Sequence, residues 1–231
     1  LEDENALKAE LSKLRNEYTS RNGATGVTET LAGFDKTDRV EDFLLDNSDI
    51  PYVNRWFFKK NLPATNADTL FALGKGGVYG PYKDNNYMNL SRVMDVRKMP
   101  DSVKSRHILI DFKGAVTNTQ RGPVPSSATR TKEEAKNLAD SLLSVINRNS
   151  GKFEELAKEF SSDKSNSENG GDLDYQNPNL FAEGYRDFIV DNKTGSVGIA
   201  ETNFGYHVIE ITDQKNLQDV IKVATVVKEI V

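Results

Sequence analysis

The stretch SRHILIDF, residues 105 to 112, decides how the second half of the chain folds. It is rich in residues that favour β-strands, and a long polar loop containing Pro123 and Pro125 follows it. Thr131 then opens the sequence TKEE, in which the Thr hydroxyl can accept from a free backbone N–H while Glu134 reaches back. The pattern predicts a strand, a loop and a helix that begins at this capping box.

Beyond Thr131 the apolar residues recur at helical spacing, first from Ala135 to Ile146 and then from Phe153 to Phe160. A Ser/Asn/Gly-rich loop comes next, followed by a predicted helix from Phe181 to Val190 and a strand from Phe204 to Ile211. The second half is therefore predicted to contain a strand, a loop, three helices and a hairpin.

Residues 70–95 resemble residues 188–213 without a gap, which indicates an internal repeat. The first half also has three predicted helices and a hairpin, with strands at 78–82 and 87–96, but it lacks an opening strand. The sequence thus predicts two related modules. The identical pairs in the alignment are Lys75 with Lys193, Gly77 with Gly195, Gly80 with Gly198, Asn85 with Asn203 and Asp95 with Asp213.

Four motifs follow one another in the second half: RHILI at 106–110, FEELAKEFSSD at 153–163, GGDLD at 170–174 and FGYHVIEI at 204–211. Together they resemble the parvulins, a family of peptidyl-prolyl isomerases, and especially the SurA/PpiD-like folding factors of bacterial envelopes. Any one motif is weak evidence, whereas four in this order and spacing are specific.

The resemblance implies an α+β fold with two parvulin-like modules, each a small antiparallel sheet with flanking helices. We predict a degenerate module at 1–99, a peptidyl-prolyl isomerase domain at 100–215 and a C-terminal strand at 216–231. No later strand is available to pair with VIKVATVVKEIV, residues 220–231. This strand either begins a further module or fills the sheet gap of the first module, in the same chain or by self-association with a neighbouring molecule.

The resemblance also implies the residues of the site. The centre of the family's site holds two histidines from adjacent strands, an Asp or Cys nearby, and a hydroxyl beside the second histidine. An apolar wall grips the proline ring. The matching positions are His107, His207, Asp163 and Thr202 for the centre, and Leu173, Phe181, Tyr185 and Phe204 for the wall.

A histidine in a strand is usually structural, but the chain has two histidines and both fall on motif positions. We expect them to hydrogen-bond with each other and with Thr202 and to shape the pocket floor, while Asp163 supplies negative charge near the substrate carbonyl. Taken alone, Asp163 is typical of a turn, and the spacing of Phe181 and Tyr185 is typical of a helix core. A zinc site is disfavoured because the histidines are far apart in sequence and no cysteine is present.

Some positions depart from the family. Asp174 stands where Gly is usual and Gln176 replaces a common aromatic, which predicts a more polar or differently bent rim. The loop at 113–130 has no dense Lys/Arg cluster, so the phosphate-selective branch of the family is not favoured. The first module has no histidine, and Asn89 aligns with His207, so that module is predicted to be inactive.

The composition limits the partners. A net charge of -5 without a dense basic cluster argues against nucleic acid and against contact with an anionic membrane. The absence of cysteine excludes disulfides and a Cys nucleophile. No apolar run is long enough to span a bilayer. Because the sequence begins at Leu1 rather than Met, we expect a fragment of a parent protein from the bacterial periplasm or cell envelope, with or without a membrane anchor.

Two functions remain open from the sequence. The first is a peptidyl-prolyl cis-trans isomerase and chaperone that acts without a cofactor on X-Pro bonds of unfolded exported proteins. The second is a non-catalytic parvulin-fold chaperone or interaction module. The set of His107, Asp163 and His207 favours the first, and the altered rim and His-free first module keep the second open.

Overall fold

The computed structural model describes residues 2–21, 28–119 and 122–231. The chain divides into two compact units, one formed by Leu1–Lys98 with Asp219–Val231 and the other by Met99–Gln218. In chain order the elements are α1 (Glu2–Asn16), β1 (Glu17–Arg21), β2 (Thr28–Ala32), α2 (Val40–Asn47), β3 (Trp56–Phe58), α3 (Ala64–Leu73), β4 (Val78–Asp84), β5 (Tyr87–Ile110), β6 (Val116–Thr119), β7 (Gly122–Pro125), α4 (Lys132–Arg148), α5 (Phe153–Phe160), β8 (Asp172–Gln176), α6 (Glu183–Asp191), β9 (Val197–Thr202) and β10 (Gly205–Glu229).

In the first unit the strands follow the order β3, β10, β5, β4. The last part of β10 pairs antiparallel with β3, where Val220 lies opposite Phe58, and β4 pairs with the start of β5. Helices α1 and α2 pack on the sheet through buried residues that include Leu11, Phe43 and Leu90. The C-terminal strand therefore completes this sheet within the same chain. It lies between β3 and β5, and its residues Val220, Ile221 and Lys222 pair with β3.

In the second unit β8 pairs with the end of β5 and β9 pairs with the start of β10. Helices α4 and α5 cover one face of this sheet, where Ile108, Phe153 and Val208 are buried together. Side chains alternate across a strand, so the neighbouring residues His107 and His207 lie on the opposite face. The functional face is thus the one that α4 and α5 leave uncovered.

The predicted fold class is confirmed, because the elements form antiparallel sheets flanked by helices. The capping box is confirmed as well: the Glu134 N–H donates to Thr131 Oγ1 at 3.1 Å, and the Thr131 N–H donates to a Glu134 carboxylate oxygen at 2.7 Å. Within the described residues no helix combines the length and apolarity needed to cross a membrane.

The structure differs from the predicted strands in their length. The strands expected at 87–96 and 105–112 fall within the single strand β5 except for residues 111 and 112, and those expected at 204–211 and 220–231 fall within β10 except for residues 204, 230 and 231. The intervening residues Met99 and Val103 are fully buried, so this stretch is held in the sheet despite its turn-forming Pro, Asp and Ser. The region expected as a loop at 113–130 contains the β6–β7 hairpin, although residues 120 and 121 lie outside the described part.

The capping box gives a direct test of how α4 is held. Thr131→Ala removes the side-chain acceptor from the first turn and should lower the free energy of unfolding by about 1 kcal/mol. Thr131→Ser keeps a hydroxyl at the same position and should retain most of that stability. Urea unfolding of both variants measures the difference, and equal midpoints for the two would show that the cap contributes nothing.

Candidate functional site

The two histidines form the centre of the site. His107 on β5 and His207 on β10 stack with ring centroids 5.2 Å apart and an angle of 16° between the planes. Their Nδ1 atoms lie 3.0 Å apart, which is hydrogen-bonding distance. Each residue is only 5% exposed, so water cannot satisfy the ring nitrogens and protein groups must do so.

Asp163 satisfies the outer nitrogen of the first ring. Its Oδ2 atom lies 3.0 Å from His107 Nε2. The Ser165 backbone and hydroxyl both donate to Oδ1 of the same carboxylate, at 3.0 and 2.6 Å. Asn166 Nδ2 bridges the pair, lying 3.1 Å from His107 Nε2 and donating to Asp163 Oδ2 at 3.0 Å. The carboxylate is thus fixed before any substrate arrives.

The loop that carries Asp163 is held against β5 by the Gly-Gly turn. The His107 N–H donates to the Gly171 carbonyl at 3.0 Å, and the Gly171 N–H donates to the Asn166 carbonyl at 3.0 Å. Gly171 has φ +75, and a Cβ there would lie 2.0 Å from the His107 carbonyl oxygen. Only glycine permits this approach, which explains GGDLD in terms of the site.

Thr202 closes the other end of the chain of polar groups. Its Oγ1 lies 2.8 Å from His207 Nε2 and accepts from the Phe204 N–H at 3.1 Å. Hydrogen-bond contacts therefore link four side chains in one row, in the order Asp163, His107, His207, Thr202. These are the four residues that the family resemblance implied for the centre of the site. In this row each imidazole ring can donate through one nitrogen and accept through the other.

The electrostatics follow from this arrangement. The hydrogen bond with His107 is the largest effect holding the pKa of Asp163 well below its ordinary value, against the opposing effect of burial. Burial, assisted by the neighbouring His107, lowers the pKa of His207 to about 3. Burial also raises the pKa of Tyr185. The site therefore presents one firmly ionised carboxylate beside a neutral His207 and a neutral phenol.

An apolar cleft of ≈ 640 Å³ lies above this row. Phe181 and Tyr185 stack at 4.6 Å, and the Tyr185 ring meets the His107 and His207 rings edge-on at 5.8 and 5.3 Å. All eight predicted residues line the cleft: His107, Asp163, Leu173, Phe181, Tyr185, Thr202, Phe204 and His207.

The cleft also has lining residues that sequence reasoning missed. Leu109 follows His107 at an interval of two on the same strand face, so alternation could have identified it. Leu180 is 74% exposed beside Phe181, and no pattern signalled it. Asn166 and the β6 residues Val116 to Asn118 reach the site only through the folding of polar loops.

The two departures from the family leave the cleft intact. Asp174 adopts φ +54, so the backbone keeps a left-handed conformation that glycine adopts more easily. Its N–H donates to Asp172 Oδ1 at 2.7 Å, which supports the turn. Neither Asp174 nor Gln176 is among the residues lining the cleft, since Gln176 pairs with Val103 and donates to the Leu173 carbonyl.

Among the described residues, no three or more His, Asp or Glu side chains form a cluster that could hold a metal ion. The two ring nitrogens of His107 contact His207 and Asp163, and those of His207 contact His107 and Thr202. The groups bind one another and do not converge on a shared point.

Comparison with known proteins identifies the class to which this fold and site belong. The sequence model of the PPIC-type PPIASE domain matches residues 88–215, more than half of the chain. The chain belongs to this family of parvulin-type peptidyl-prolyl isomerases.

Among curated proteins, the chain is similar to chaperone SurA. The chain is 26% identical over 167 residues to chaperone SurA of Photobacterium profundum, covering 70% of this chain and 35% of the relative. It is 30% identical over 168 residues to chaperone SurA of Pseudomonas savastanoi pv. phaseolicola, covering 70% and 36%. The chain thus spans about a third of the length of these relatives.

Two solved structures are similar to part of the chain. A peptidylprolyl isomerase (PrsA) from Bacillus anthracis is 25% identical with a TM-score of 0.39, covering 52% of this chain and 44% of that one. A SurA-like chaperone from Campylobacter jejuni is 28% identical with a TM-score of 0.38, covering 53% and 42%.

The neutral, buried His207 predicts a pH effect on stability. An unfolded histidine takes up a proton near pH 6.5, whereas the folded His207 stays neutral down to about pH 3. The unfolded state therefore binds more protons between these values, and stability is lost as the pH falls through them. One such group gives a slope of up to about 1.4 kcal/mol per pH unit.

His207→Asn, which introduces the residue found at the aligned position 89, should make the free energy of unfolding less dependent on pH between about pH 6 and pH 4.5. Thr202→Ala is the matched control, because it removes the hydrogen-bond partner and keeps the titrating ring. Chemical denaturation across this range provides the slopes. Identical slopes for His207→Asn and the unaltered protein would contradict the assignment.

Proposed function

We propose that the second unit is a peptidyl-prolyl cis-trans isomerase that acts on X-Pro bonds of unfolded polypeptides. The observation that carries this proposal is the apolar cleft whose floor is the row of Asp163, His107, His207 and Thr202. Membership of the parvulin-type family supports it.

The reaction requires no bond to be broken and no nucleophile. Rotation about the X-Pro bond is opposed by a barrier of ~18–20 kcal/mol that arises from amide resonance. A catalyst must therefore bind the twisted amide more tightly than either planar form. As the amide twists, the carbonyl oxygen loses negative charge and the nitrogen becomes a better hydrogen-bond acceptor. A site that disfavours the resonance form lowers the barrier.

The residues divide between two tasks. Phe181, Tyr185 and Leu173 hold the proline ring and exclude water from the reacting amide. Asp163 places a fixed negative charge near the carbonyl, which disfavours the planar form in which the oxygen is most negative. His107 and His207 orient this carboxylate and Thr202, and do not act as proton donors or acceptors toward the substrate.

The first unit is proposed to be inactive and to serve in binding or spacing. Asn89, at the position aligned with His207, is buried. Two residues further along the same strand face, Ser91 Oγ lies 2.9 Å from Thr225 Oγ1 and 2.9 Å from the Tyr82 hydroxyl. Neutral hydroxyls thus take up the polar positions on this face, and the row of two imidazoles and a carboxylate is not reproduced.

Partners and location are proposed on the same basis. Similarity to chaperone SurA supports unfolded polypeptides as clients. Resemblance to SurA/PpiD-like folding factors supports a place in the bacterial periplasm or cell envelope. A second candidate function, a non-catalytic chaperone, is favoured by the first unit's lack of a comparable site and shares the same clients.

Removing an aromatic ring from the cleft wall tests the grip on proline. Phe181→Ala should lower kcat/KM for a blocked Ala-Ala-Pro-Phe peptide by about tenfold or more, because the proline ring loses its stacked wall. Leu45→Ala removes an apolar side chain that is 84% exposed on the first unit and should change nothing. NMR exchange spectroscopy measures the rates. Unaltered turnover in Phe181→Ala would contradict the proposed pocket.

Neutralising the carboxylate tests the electrostatic role. Asp163→Asn keeps the shape and should lower kcat by roughly tenfold to a hundredfold with a smaller change in KM, since the charge acts in the twisted state. His107→Ala with His207→Ala is the companion variant: if it folds and turns over normally, neither histidine is required. Micromolar protein that fails to accelerate isomerisation, yet suppresses aggregation of an unfolded client, would establish the chaperone function instead.

A further inference from the structure

The hairpin formed by β6 and β7 supplies part of the wall of the cleft. Val116, Thr117 and Asn118 of β6 line it, and no residue of β7 does. The strand β6 therefore lies between its partner and the cleft. One edge of β6 is paired with β7, and the other edge faces the cleft in which a substrate would lie.

The prolines of β7 decide which backbone groups point to which edge. Asn118 lies opposite Pro123 and Val116 lies opposite Pro125, and proline has no N–H to give to a ladder. These are consequently the non-hydrogen-bonded pairs, and Thr117 with Val124 is a hydrogen-bonded pair. The Ser126 N–H donates to the Ala115 carbonyl at 2.8 Å, which continues the same alternation.

It follows that Val116 and Asn118 direct their N–H and C=O groups away from β7. The Val116 N–H donates to the Asn203 carbonyl at 2.8 Å. Among the backbone bonds of the described residues outside regular ladders, this is the one that leaves β6 on this side. Asn118 is exposed, and among the described residues its N–H and C=O have no backbone partner on this side, so they form an open length of strand edge beside the cleft.

The two edges of the hairpin differ in how they are protected. On the outer edge of β7 both prolines remove the N–H groups that another strand would need. The edge of β6 carries no such protection at Asn118. The hairpin thus has a blocked edge on β7 and an open edge on β6 beside the cleft. This arrangement suits pairing with a chain that is already held in the cleft.

The hairpin is fixed at its base. The Asp111 carboxylate accepts a hydrogen bond from Ser126, which directly follows β7, and another from the Ser162 hydroxyl at 2.5 Å, next to Asp163. The loop that carries the catalytic carboxylate and the hairpin are thus tied to one side chain. The open edge is held in place relative to the site.

We propose that the free edge of β6 at Asn118 forms backbone hydrogen bonds with an extended client segment that flanks the proline in the cleft. This inference rests on the proposed function and adds a sequence-independent subsite to it. Main-chain pairing gives affinity without selecting side chains, which fits clients that share only an unfolded state.

Asn118→Pro is the decisive variant. It removes one N–H from the open edge and leaves the ladder to β7 intact, because that ladder uses Thr117 and Val124. Asn118→Ala is the matched control that removes the side chain and keeps the N–H. Two peptides are compared by NMR exchange spectroscopy: blocked Ala-Ala-Pro-Phe, and the same core extended by several Ser, Thr and Val residues on each side.

The unaltered protein should have a higher kcat/KM for the extended peptide than for the short one. Asn118→Pro should lose about two- to tenfold of the preference for the extended peptide, the contribution of a backbone hydrogen bond, where the preference is the ratio of kcat/KM on the extended peptide to kcat/KM on the short one. Asn118→Ala keeps the N–H and should retain the preference of the unaltered protein, measured as the same ratio of kcat/KM values. An undiminished preference in Asn118→Pro, an equal loss in Asn118→Ala, or no preference in the unaltered protein would each overturn the proposal.

Failure of the proposed function gives a different result. If neither peptide is isomerised, the isomerase proposal fails, and the edge is tested by fluorescence anisotropy with a labelled extended peptide. Asn118→Pro must then weaken Kd relative to Asn118→Ala by about two- to tenfold. Equal Kd values for the two variants would dismiss the edge as a binding element.

Discussion

Two buried imidazole rings govern the second unit, because each of their nitrogens must find a partner where water is excluded. His107 and His207 satisfy one nitrogen each by facing one another, and the remaining two require Asp163 at one end and Thr202 at the other. This requirement explains why GGDLD is needed, since the loop bearing Asp163 reaches its place only if the chain passes within contact of the His107 carbonyl. The site is therefore a consequence of satisfying buried polar groups as much as of catalysis.

The same row of groups defines the chemistry available to the cleft. A neutral, desolvated His207 is a poor proton donor, and the reaction needs none. What the row delivers is a carboxylate whose position and charge are fixed by His107, Asn166 and Ser165 below an aromatic wall. Rigid electrostatics and an apolar grip are the means by which a catalyst can favour a twisted amide without forming a bond to it.

The two units show how one arrangement of strands can be used with and without this row. In the first unit, Asn89 and the hydroxyls of Ser91 and Thr225 occupy the corresponding sheet face. Neutral groups of this kind can be satisfied locally, so no acidic loop is required. The hairpin β6–β7 lies in the long segment between β5 and α4 of the second unit.

The sequence by itself determined the helices, the capping box at Thr131, the hairpins β4–β5 and β9–β10, and eight of the residues that line the cleft. These features depend on local periodicity or on motifs whose spacing is fixed by the fold. Tertiary structure alone decided that 220–229 completes the sheet of the first unit, that β5 and β10 are continuous, and that Asn166 and Asn118 reach the site. The reason is physical: strand partners and loop positions are set by contacts between residues far apart in the chain, and a local pattern carries no information about which distant edge will be free to pair.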